Sequence, residues 1–204
     1  MTSGTATRRL AETQHVPDAQ AQDARRRQRR GWMAWGIGLL VVAVLVAAAL
    51  LTSRPTTSET AQAATEFTLP TSDGSTVSLA DFRGEPVILY FNEGAGCDSC
   101  LLQMAEIEKN PAFGEDGITV LPIVMNTAEQ ISADAERLGV RSPFLLDDGT
   151  VSEAYGTLGA GMHEGLPGHG FVLIDADGVQ QWQGNYPSMW LDPTELLEEV
   201  QSRL

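Results

Sequence analysis

PVILYFNEGAGCDSCLLQMAEIEK (residues 86–109) contains both cysteines of the 204-residue chain and predicts a strand followed by a helix. It opens with a continuous apolar run of strand length, as expected for a central strand buried on both faces. From Cys97 onward the apolar residues have helical spacing. The two cysteines, Cys97 and Cys100, lie where the strand gives way to the helix. A Cys-x-x-Cys pair at such a junction is the pattern of a redox-active dithiol.

Three kinds of chemistry are open to this cysteine pair: a static disulfide, a metal site, or cycling between dithiol and disulfide. A static disulfide would close a very short loop, which restrains the unfolded chain little. Cycling is favoured because the free N–H groups and positive end of the helix lower the pKa of a thiol at its start. We therefore predict that Cys97 is the nucleophile and that Cys100, one turn further on, resolves the mixed disulfide.

Acidic neighbours extend this candidate site. Glu93 lies four residues before Cys97 and is a candidate acid for relaying a proton when Cys100 attacks. Asp98 lies between the cysteines, where its negative charge is expected to raise the pKa of the Cys97 thiol. We expect the pair to be more reducing than the strongest disulfide oxidants as a result.

A metal-binding module is an alternative use of the same residues. His163 and His169, together with the two cysteines, formally complete a zinc or copper site. The His-x5-His spacing is looser than the tight ligand pairs of common structural zinc sites. A module using Cys97, Cys100 and His169 stays open, but we assign no metal ligand and no cofactor beyond the redox-active disulfide itself.

An uncharged apolar stretch lies near the N-terminus. Residues 31–53, GWMAWGIGLLVVAVLVAAALLTS, would cross a hydrocarbon core of ~30 Å at about 1.5 Å per helical residue. RRRQRR (25–30) precedes this stretch, and positive charge stays on the cytoplasmic side. We predict a single-pass helix in the cell membrane, with the N-terminus cytoplasmic and the C-terminal part extracytoplasmic. A cleaved signal peptide, with AQA (61–63) as its cleavage site, is the alternative.

Composition divides the remaining residues. The polar residues 1–30 are expected to form a disordered cytoplasmic tail, and residues 54–65 a Thr/Ser/Ala-rich linker. Residues 66–204 have the size of one domain. Residues 52–204 carry 24 acidic residues against six Lys or Arg, whereas residues 1–31 carry three against seven. So acidic an exported part argues against a nucleic acid or an anionic lipid surface as its partner.

The rest of the domain alternates strands and helices. The patterns predict two short strands around Asp73-Gly74, a buried strand in 118–126 and a hairpin in 170–184. Amphipathic helices are expected in 127–139 and 192–204. This order predicts an α/β domain built around a mixed sheet.

These stretches resemble a known family. Residues 67–109, together with GHGFVLIDADGV (168–179), are similar to the redoxin branch of the thioredoxin superfamily. This branch holds the membrane-tethered TlpA/ResA-like thiol-disulfide oxidoreductases and the AhpC/TSA peroxiredoxins. The resemblance covers about residues 66–200. It implies a thioredoxin-like fold with a central mixed sheet flanked by helices.

The sequence departs from the family pattern at three positions. Gly96 stands where the oxidoreductases usually carry Trp before the first cysteine. Gly168 stands where they carry a cis-proline, with Pro167 one residue earlier, so we assign Gly96, Pro167, Gly168 and His169 to a substrate groove of altered shape. Gly94 stands where peroxiredoxins carry the Thr that orients peroxide, which places peroxidase activity second.

The sequence thus predicts a membrane-anchored thiol-disulfide oxidoreductase whose Cys97–Cys100 pair cycles on exported proteins. Its partners would be protein thiols and disulfides, and a membrane thiol shuttle would carry electrons, as in the family it resembles. The alternative is a peroxiredoxin-like thiol peroxidase with antioxidant activity. In that enzyme Cys97 would become a sulfenic acid and Cys100 would resolve it.

Overall fold

The computed structural model describes residues 4–52, 54–159 and 164–204, in two units that divide after Thr52. The first unit is helix α1 (Gly4–Thr52). Within α1, Arg25–Leu51 is long and apolar enough to cross a membrane, a test that an N-terminal signal sequence also passes. The helix includes residues 4–30, which differs from the expected disordered tail. The Ala, Gln and Arg residues that dominate this segment are strong helix formers.

The second unit is built on a mixed sheet. Its strands are β1 (Thr56–Ala63), β2 (Thr68–Pro70), β3 (Thr76–Ser78), β4 (Val87–Phe91), β5 (Thr119–Val124), β6 (Leu145–Leu146), β7 (Gly170–Ile174) and β8 (Val179–Asn185). Six of them form one sheet in the order β1-β8-β7-β4-β5-β6, and β2 and β3 form a separate hairpin. β4, β5 and β6 run parallel to one another, whereas β7 is antiparallel to β4 and β8.

Helices cover both faces of this sheet. They are α2 (Asp98–Lys109), α3 (Ala112–Glu115), α4 (Ala128–Leu138), α5 (Thr150–Ala154) and α6 (Pro193–Gln201). Apolar residues of α2, α4 and α6 share one core cluster on one face, and α5 and the β2–β3 hairpin contribute to a second cluster on the other. This arrangement is the predicted α/β architecture, a central mixed sheet flanked by helices.

The position of β4 in the centre of the sheet explains why its sequence is a continuous apolar run. All five of its residues are buried. Ile88 and Tyr90 belong to the cluster beneath α2, and Val87, Leu89 and Phe91 belong to the opposite cluster. Because successive side chains of a strand point to opposite faces, a strand covered on both sides needs apolar residues at every position.

The segment expected to be a linker is instead an edge strand. β1 pairs antiparallel with β8, from Thr56 opposite Asn185 to Ala63 opposite Val179. The described side chains of β1 are exposed, so no alternation of apolar residues signalled a strand. The sheet therefore begins at Thr56, ten residues before the predicted start of the domain.

The predicted redox residues lie at one end of the central strands of the sheet. β4 and β5 end there at Phe91 and Val124, and β7 begins there at Gly170, which pairs with Phe91. The loop that leads to Cys97 leaves β4 at this end, and His169 immediately precedes β7. The fold thus brings residues far apart in sequence to one end of the central strands.

Candidate active site

The two cysteines form a disulfide across the first turn of α2. Their Cα atoms are 5.3 Å apart. Cys97 is the N-cap residue of the helix and is half-buried, whereas Cys100 is completely buried. One sulfur is therefore accessible to a substrate and the other is enclosed, which is the arrangement that the predicted roles require.

Two asparagines hold the loop before Cys97. Asn92 Oδ1 accepts a hydrogen bond from Gly94 N–H at 3.0 Å. Asn126, which follows β5, accepts one from Ala95 N–H through Oδ1, also at 3.0 Å. Cys97 N–H donates to the Gly94 carbonyl at 3.0 Å. Hydrogen bonds from three backbone N–H groups thus fix the course of the loop that leads to Cys97.

The backbone conformation of this loop requires glycine at two positions. Gly94 has φ of +73°, and a Cβ placed on it would lie 1.9 Å from Asn126 Oδ1. A threonine there would have to displace Asn126, so this loop conformation disfavours the residue of the peroxiredoxin pattern. Gly96 has φ of +91°, with no neighbouring atom within 4 Å. Backbone strain rather than crowding therefore disfavours the usual tryptophan.

An arginine on α4 changes the role expected for Asp98. Arg137 donates hydrogen bonds to both carboxylate oxygens of Asp98, at 3.1 and 2.5 Å, and to Asp134 at 3.2 and 2.9 Å. Asp134 in turn accepts a hydrogen bond from Gly96 N–H at 3.1 Å. These bonds from Arg137 lower the pKa of both carboxyl groups. Asp98 is thus paired with a cation, which weakens the effect of its charge on Cys97, and the expected rise in the pKa of the Cys97 thiol stays a prediction.

His169 is buried next to the tyrosine that contacts Cys100. It is only 1% exposed, and its Nδ1 is 3.2 Å from the Tyr90 hydroxyl oxygen. The Tyr90 hydroxyl donates a hydrogen bond to the Cys100 carbonyl at 3.0 Å. Burial lowers the pKa of His169 to about 4, so the imidazole is neutral near pH 7. His169 is thus almost completely buried, and its assignment to the substrate groove stays a prediction.

The other groove residues pack against a neighbouring loop. Pro167 is buried, and no peptide bond is cis among the residues that the structure describes. Gly168 N–H donates to the Thr157 carbonyl at 2.8 Å. Glu93, the proposed proton relay, is half-buried in the loop before Cys97. The roles of these three residues remain predictions.

The residues that sequence reasoning missed are those that support the cysteines from other elements: Tyr90, Asn126, Asp134 and Arg137. Tyr90 read as one more apolar residue of a buried strand, although a buried tyrosine hydroxyl usually needs a partner. Asp134 and Arg137 were interpreted as residues on the solvent-facing side of the amphipathic helix predicted in 127–139. Among these four residues, only Tyr90 carried a local signal in the sequence, namely a hydroxyl group in a strand predicted to be buried.

The described ranges contain no group of three or more His, Cys, Asp or Glu residues arranged to hold a metal ion. His163, which the metal-binding alternative included, lies outside the described residues. The sulfur atoms of Cys97 and Cys100 are bonded to each other. A metal site formed by this pair would therefore require the disulfide to be reduced first.

Comparison with known proteins finds redox enzymes. The AhpC/TSA family pattern matches residues 60–183. Peroxiredoxin Bcp of Escherichia coli K12 is 34% identical over 121 residues, which are 56% of this chain and 78% of the relative. The crystal structure of peroxidoxin BcpB from Mycobacterium tuberculosis matches with a TM-score of 0.58 and 19% identity, over 71% of this chain and 95% of that one. The solution structure of a candidate protein disulfide isomerase from Bacteroides thetaiotaomicron matches with a TM-score of 0.54 and 27% identity, over 70% and 86%.

Two of these findings assign the family. The AhpC/TSA pattern spans more than half of the chain, and the Escherichia coli peroxiredoxin is matched over more than two thirds of its length. The structural neighbours share the thioredoxin-like fold. The resemblance to the redoxin branch is thereby confirmed, and the chain belongs to the AhpC/TSA family of thiol-based oxidoreductases.

Proposed function

We propose that this protein exchanges dithiols and disulfides with protein substrates through the Cys97–Cys100 pair. The observation that carries the proposal is the disulfide across the first turn of an intact α2. Because the helix is formed while the disulfide is in place, Cys100 reaches Cys97 without unwinding any part of α2. A pair built in this way is suited to repeated opening and closing.

The proposed reaction transfers two electrons. The Cys97 thiolate attacks a substrate disulfide, forms a mixed disulfide and releases the first substrate thiolate. The Cys100 thiolate then attacks Cys97 Sγ, which closes the protein disulfide and releases the second substrate thiolate. The protons lost by the two protein thiols are taken up by the two substrate thiolates. The reverse sequence oxidises a substrate dithiol.

A thiol peroxidase is the second candidate, and the peroxiredoxins among the relatives favour it. In this reaction the Cys97 thiolate attacks the peroxide and becomes a sulfenic acid, with release of an alcohol or water. Cys100 then displaces water to form the disulfide. The absence of a hydroxyl-bearing side chain at Gly94, beside the accessible sulfur, places this candidate second.

The two candidates differ in the substrate that oxidises the reduced pair fastest. The full chain in detergent is reduced and freed of reductant, then mixed in a stopped-flow instrument with hydrogen peroxide or with a disulfide-bonded protein such as insulin. We expect rapid closure of the pair by the protein disulfide and slow closure by peroxide. Faster oxidation by peroxide would replace the first proposal with the second.

A matched variant tests the order of attack. In Cys100→Ser, the mixed disulfide at Cys97 cannot be resolved, so a covalent adduct with the protein substrate should accumulate. Cys97→Ser should form no adduct, because Cys100 is completely buried. An adduct formed equally by both variants would contradict the assignment of Cys97 as the nucleophile.

We further propose that α1 anchors the oxidoreductase domain outside the cytoplasm, with a membrane thiol shuttle as electron partner. The apolar segment Arg25–Leu51 and the arginines at its start support this orientation. Treatment of intact cells with a membrane-impermeant alkylating agent tests it, since reduced Cys97 should be labelled. Labelling only after lysis would place the domain in the cytoplasm.

A further inference from the structure

We infer that Tyr90 and His169 form a buried positioning pair that holds the resolving cysteine, Cys100, in place for attack on Cys97. The inference rests on the proposed dithiol–disulfide cycling and adds two residues to its machinery. Neither residue touches a substrate. Both act through the backbone of Cys100.

The contacts run in one line from the sheet to the helix. Tyr90 is a residue of β4, and its hydroxyl donates a hydrogen bond to the Cys100 carbonyl at 3.0 Å. His169 precedes β7, and its Nδ1 lies 3.2 Å from the same hydroxyl oxygen. Tyr90 also stacks on Phe171, with ring centroids 4.7 Å apart and planes 11° from parallel. The hydroxyl is therefore held from two sides beneath the first turn of α2.

The available protons define how the pair is arranged. A tyrosine hydroxyl has one proton, and here it goes to the Cys100 carbonyl. The contact with His169 is then a hydrogen bond only if Nδ1 carries the imidazole proton and donates it to the tyrosine oxygen. Nε2 is left as a bare acceptor, and it has no hydrogen-bond partner among the described residues. An unpaired buried acceptor costs less than an unpaired buried N–H donor, so this tautomer is the consistent one.

Packing alone does not account for a histidine at this position. The ring of His169 lies against Tyr90 and Phe171, with centroid distances of 5.1 and 5.6 Å. A phenylalanine would make the same ring contacts without burying an unpaired nitrogen, which is destabilising. What a phenylalanine lacks is the Nδ1 hydrogen bond to the tyrosine hydroxyl. The histidine is thus explained by its effect on Tyr90, and through Tyr90 on Cys100.

The pair acts on one cysteine and not on the other. Cys97 is held by the backbone of the preceding loop, through its hydrogen bond to the Gly94 carbonyl at 3.0 Å. Cys100 is held from below by Tyr90. When the disulfide is open, this hydrogen bond keeps Cys100 where it can reach Cys97, which lowers the entropy lost on closure. Loss of the bond should weaken the second step of the exchange and leave the first step unchanged.

The test compares two tyrosine hydroxyls in the full chain. Tyr90→Phe removes the hydrogen bond to Cys100 and keeps the ring. Tyr155→Phe is the matched control, because the buried Tyr155 hydroxyl donates to the Thr65 carbonyl at 2.8 Å and its ring belongs to the core cluster on the other face of the sheet. Both variants lose one hydroxyl-to-carbonyl hydrogen bond, so their general effects on stability should be similar.

Two measurements report on Cys100. The first is the equilibrium of the pair in dithiothreitol buffers, which does not depend on the natural substrate. Because the hydrogen bond is present in both states, Tyr90→Phe changes the equilibrium only through the lost ordering of the open state. The equilibrium constant for disulfide closure should fall by at most about fivefold, the factor expected for one neutral hydrogen bond, which corresponds to a potential up to about 20 mV less negative. The second is closure after oxidised glutathione reacts with Cys97, followed as release of the second glutathione thiol. This release should slow about fivefold, with the first step unchanged.

A double variant tests the link through His169. His169→Phe keeps the aromatic contacts, removes Nδ1 and should shift the closure equilibrium in the same direction as Tyr90→Phe. The combination of the two should shift it no further than Tyr90→Phe alone, because both act on one hydrogen bond. Additive effects would show that His169 does not act through the tyrosine and would overturn the pairing.

The outcomes separate the inference from the proposed function. If the wild-type pair cycles and Tyr90→Phe changes neither the equilibrium nor glutathione release, the positioning role is refuted and the proposed function stands. The positioning role is likewise refuted, and the proposed function stands, if Tyr155→Phe produces every effect that Tyr90→Phe produces. A wild-type pair that stays closed in dithiothreitol would refute both proposals.

Discussion

Replacement of Gly94 by alanine should damage the active-site loop more than the same replacement of Gly96. Both glycines have positive φ, +73° and +91°, so alanine at either position pays a backbone cost of ~1–2 kcal/mol. Only at Gly94 does the added methyl group meet neighbouring atoms. The new Cβ would lie 1.9 Å from Asn126 Oδ1 and 2.9 Å from Val124 Cγ1.

The extra cost at Gly94 follows from the displaced asparagine. Asn126 must turn away from the new methyl group, and Ala95 N–H then loses its acceptor at 3.0 Å. One lost hydrogen bond of this kind costs about 1 kcal/mol. We therefore expect Gly94→Ala to lower the free energy of unfolding by ~2–3 kcal/mol and Gly96→Ala by ~1–2 kcal/mol.

Urea unfolding of the oxidised protein measures both losses, provided that the m-values agree with the wild type. The rate at which the reduced variants react with oxidised glutathione reports on the position of Cys97, and it should fall for Gly94→Ala. Equal loss of stability in the two variants would mean that Asn126 does not fix the loop, and the account of why Gly94 excludes threonine would be wrong.

Three further predictions concern charge, burial and the sheet edge. Arg137 lowers the pKa of Asp98 and Asp134, so the stability that these two carboxylates contribute is present above about pH 4 and is lost as the pH falls further. Arg137→Ala should therefore make the acid-induced decrease in Tm smaller. Burial lowers the pKa of His169 from 6.5 to about 4, so the wild type should lose ~3 kcal/mol between pH 6.5 and 4 in urea titrations, whereas His169→Phe should lose much less. A chain that starts at residue 66 lacks β1 and exposes the edge of β8, so size-exclusion chromatography should show self-association that a chain starting at residue 54 does not show.

Local signals were enough to predict the elements that build the redox site. β4 is buried at every position, and its sequence is apolar at every position. The capping box of α4, in which Thr127 and Gln130 bond each other's backbone, was readable from residue types three positions apart. Gly139 ends the same helix with a φ of +77°, as its position predicted. Each of these features is decided within a few residues.

The supporting contacts of the site were not predictable, because no local pattern contains them. Tyr90 and His169 are 79 positions apart, and Asp98 and Arg137 are 39 apart. β1 was missed for a different reason. An edge strand with exposed side chains buries nothing, so it satisfies backbone hydrogen bonds without leaving an alternating apolar pattern.

The conformation of the loop before Cys97 affects both which substrate the site can orient and how Cys97 is positioned. The Asn126 amide oxygen occupies the space that a side chain at position 94 would need, and this same oxygen accepts the hydrogen bond from Ala95. A threonine at position 94 would therefore have to break the contact that fixes the path to Cys97. Position 94 therefore cannot offer a hydroxyl to a peroxide while Asn126 holds the loop in this arrangement. The resolving cysteine in the first turn of α2 would serve either reaction, so the closed space at Gly94 is the feature that favours the proposed disulfide exchange in a chain whose relatives include peroxiredoxins.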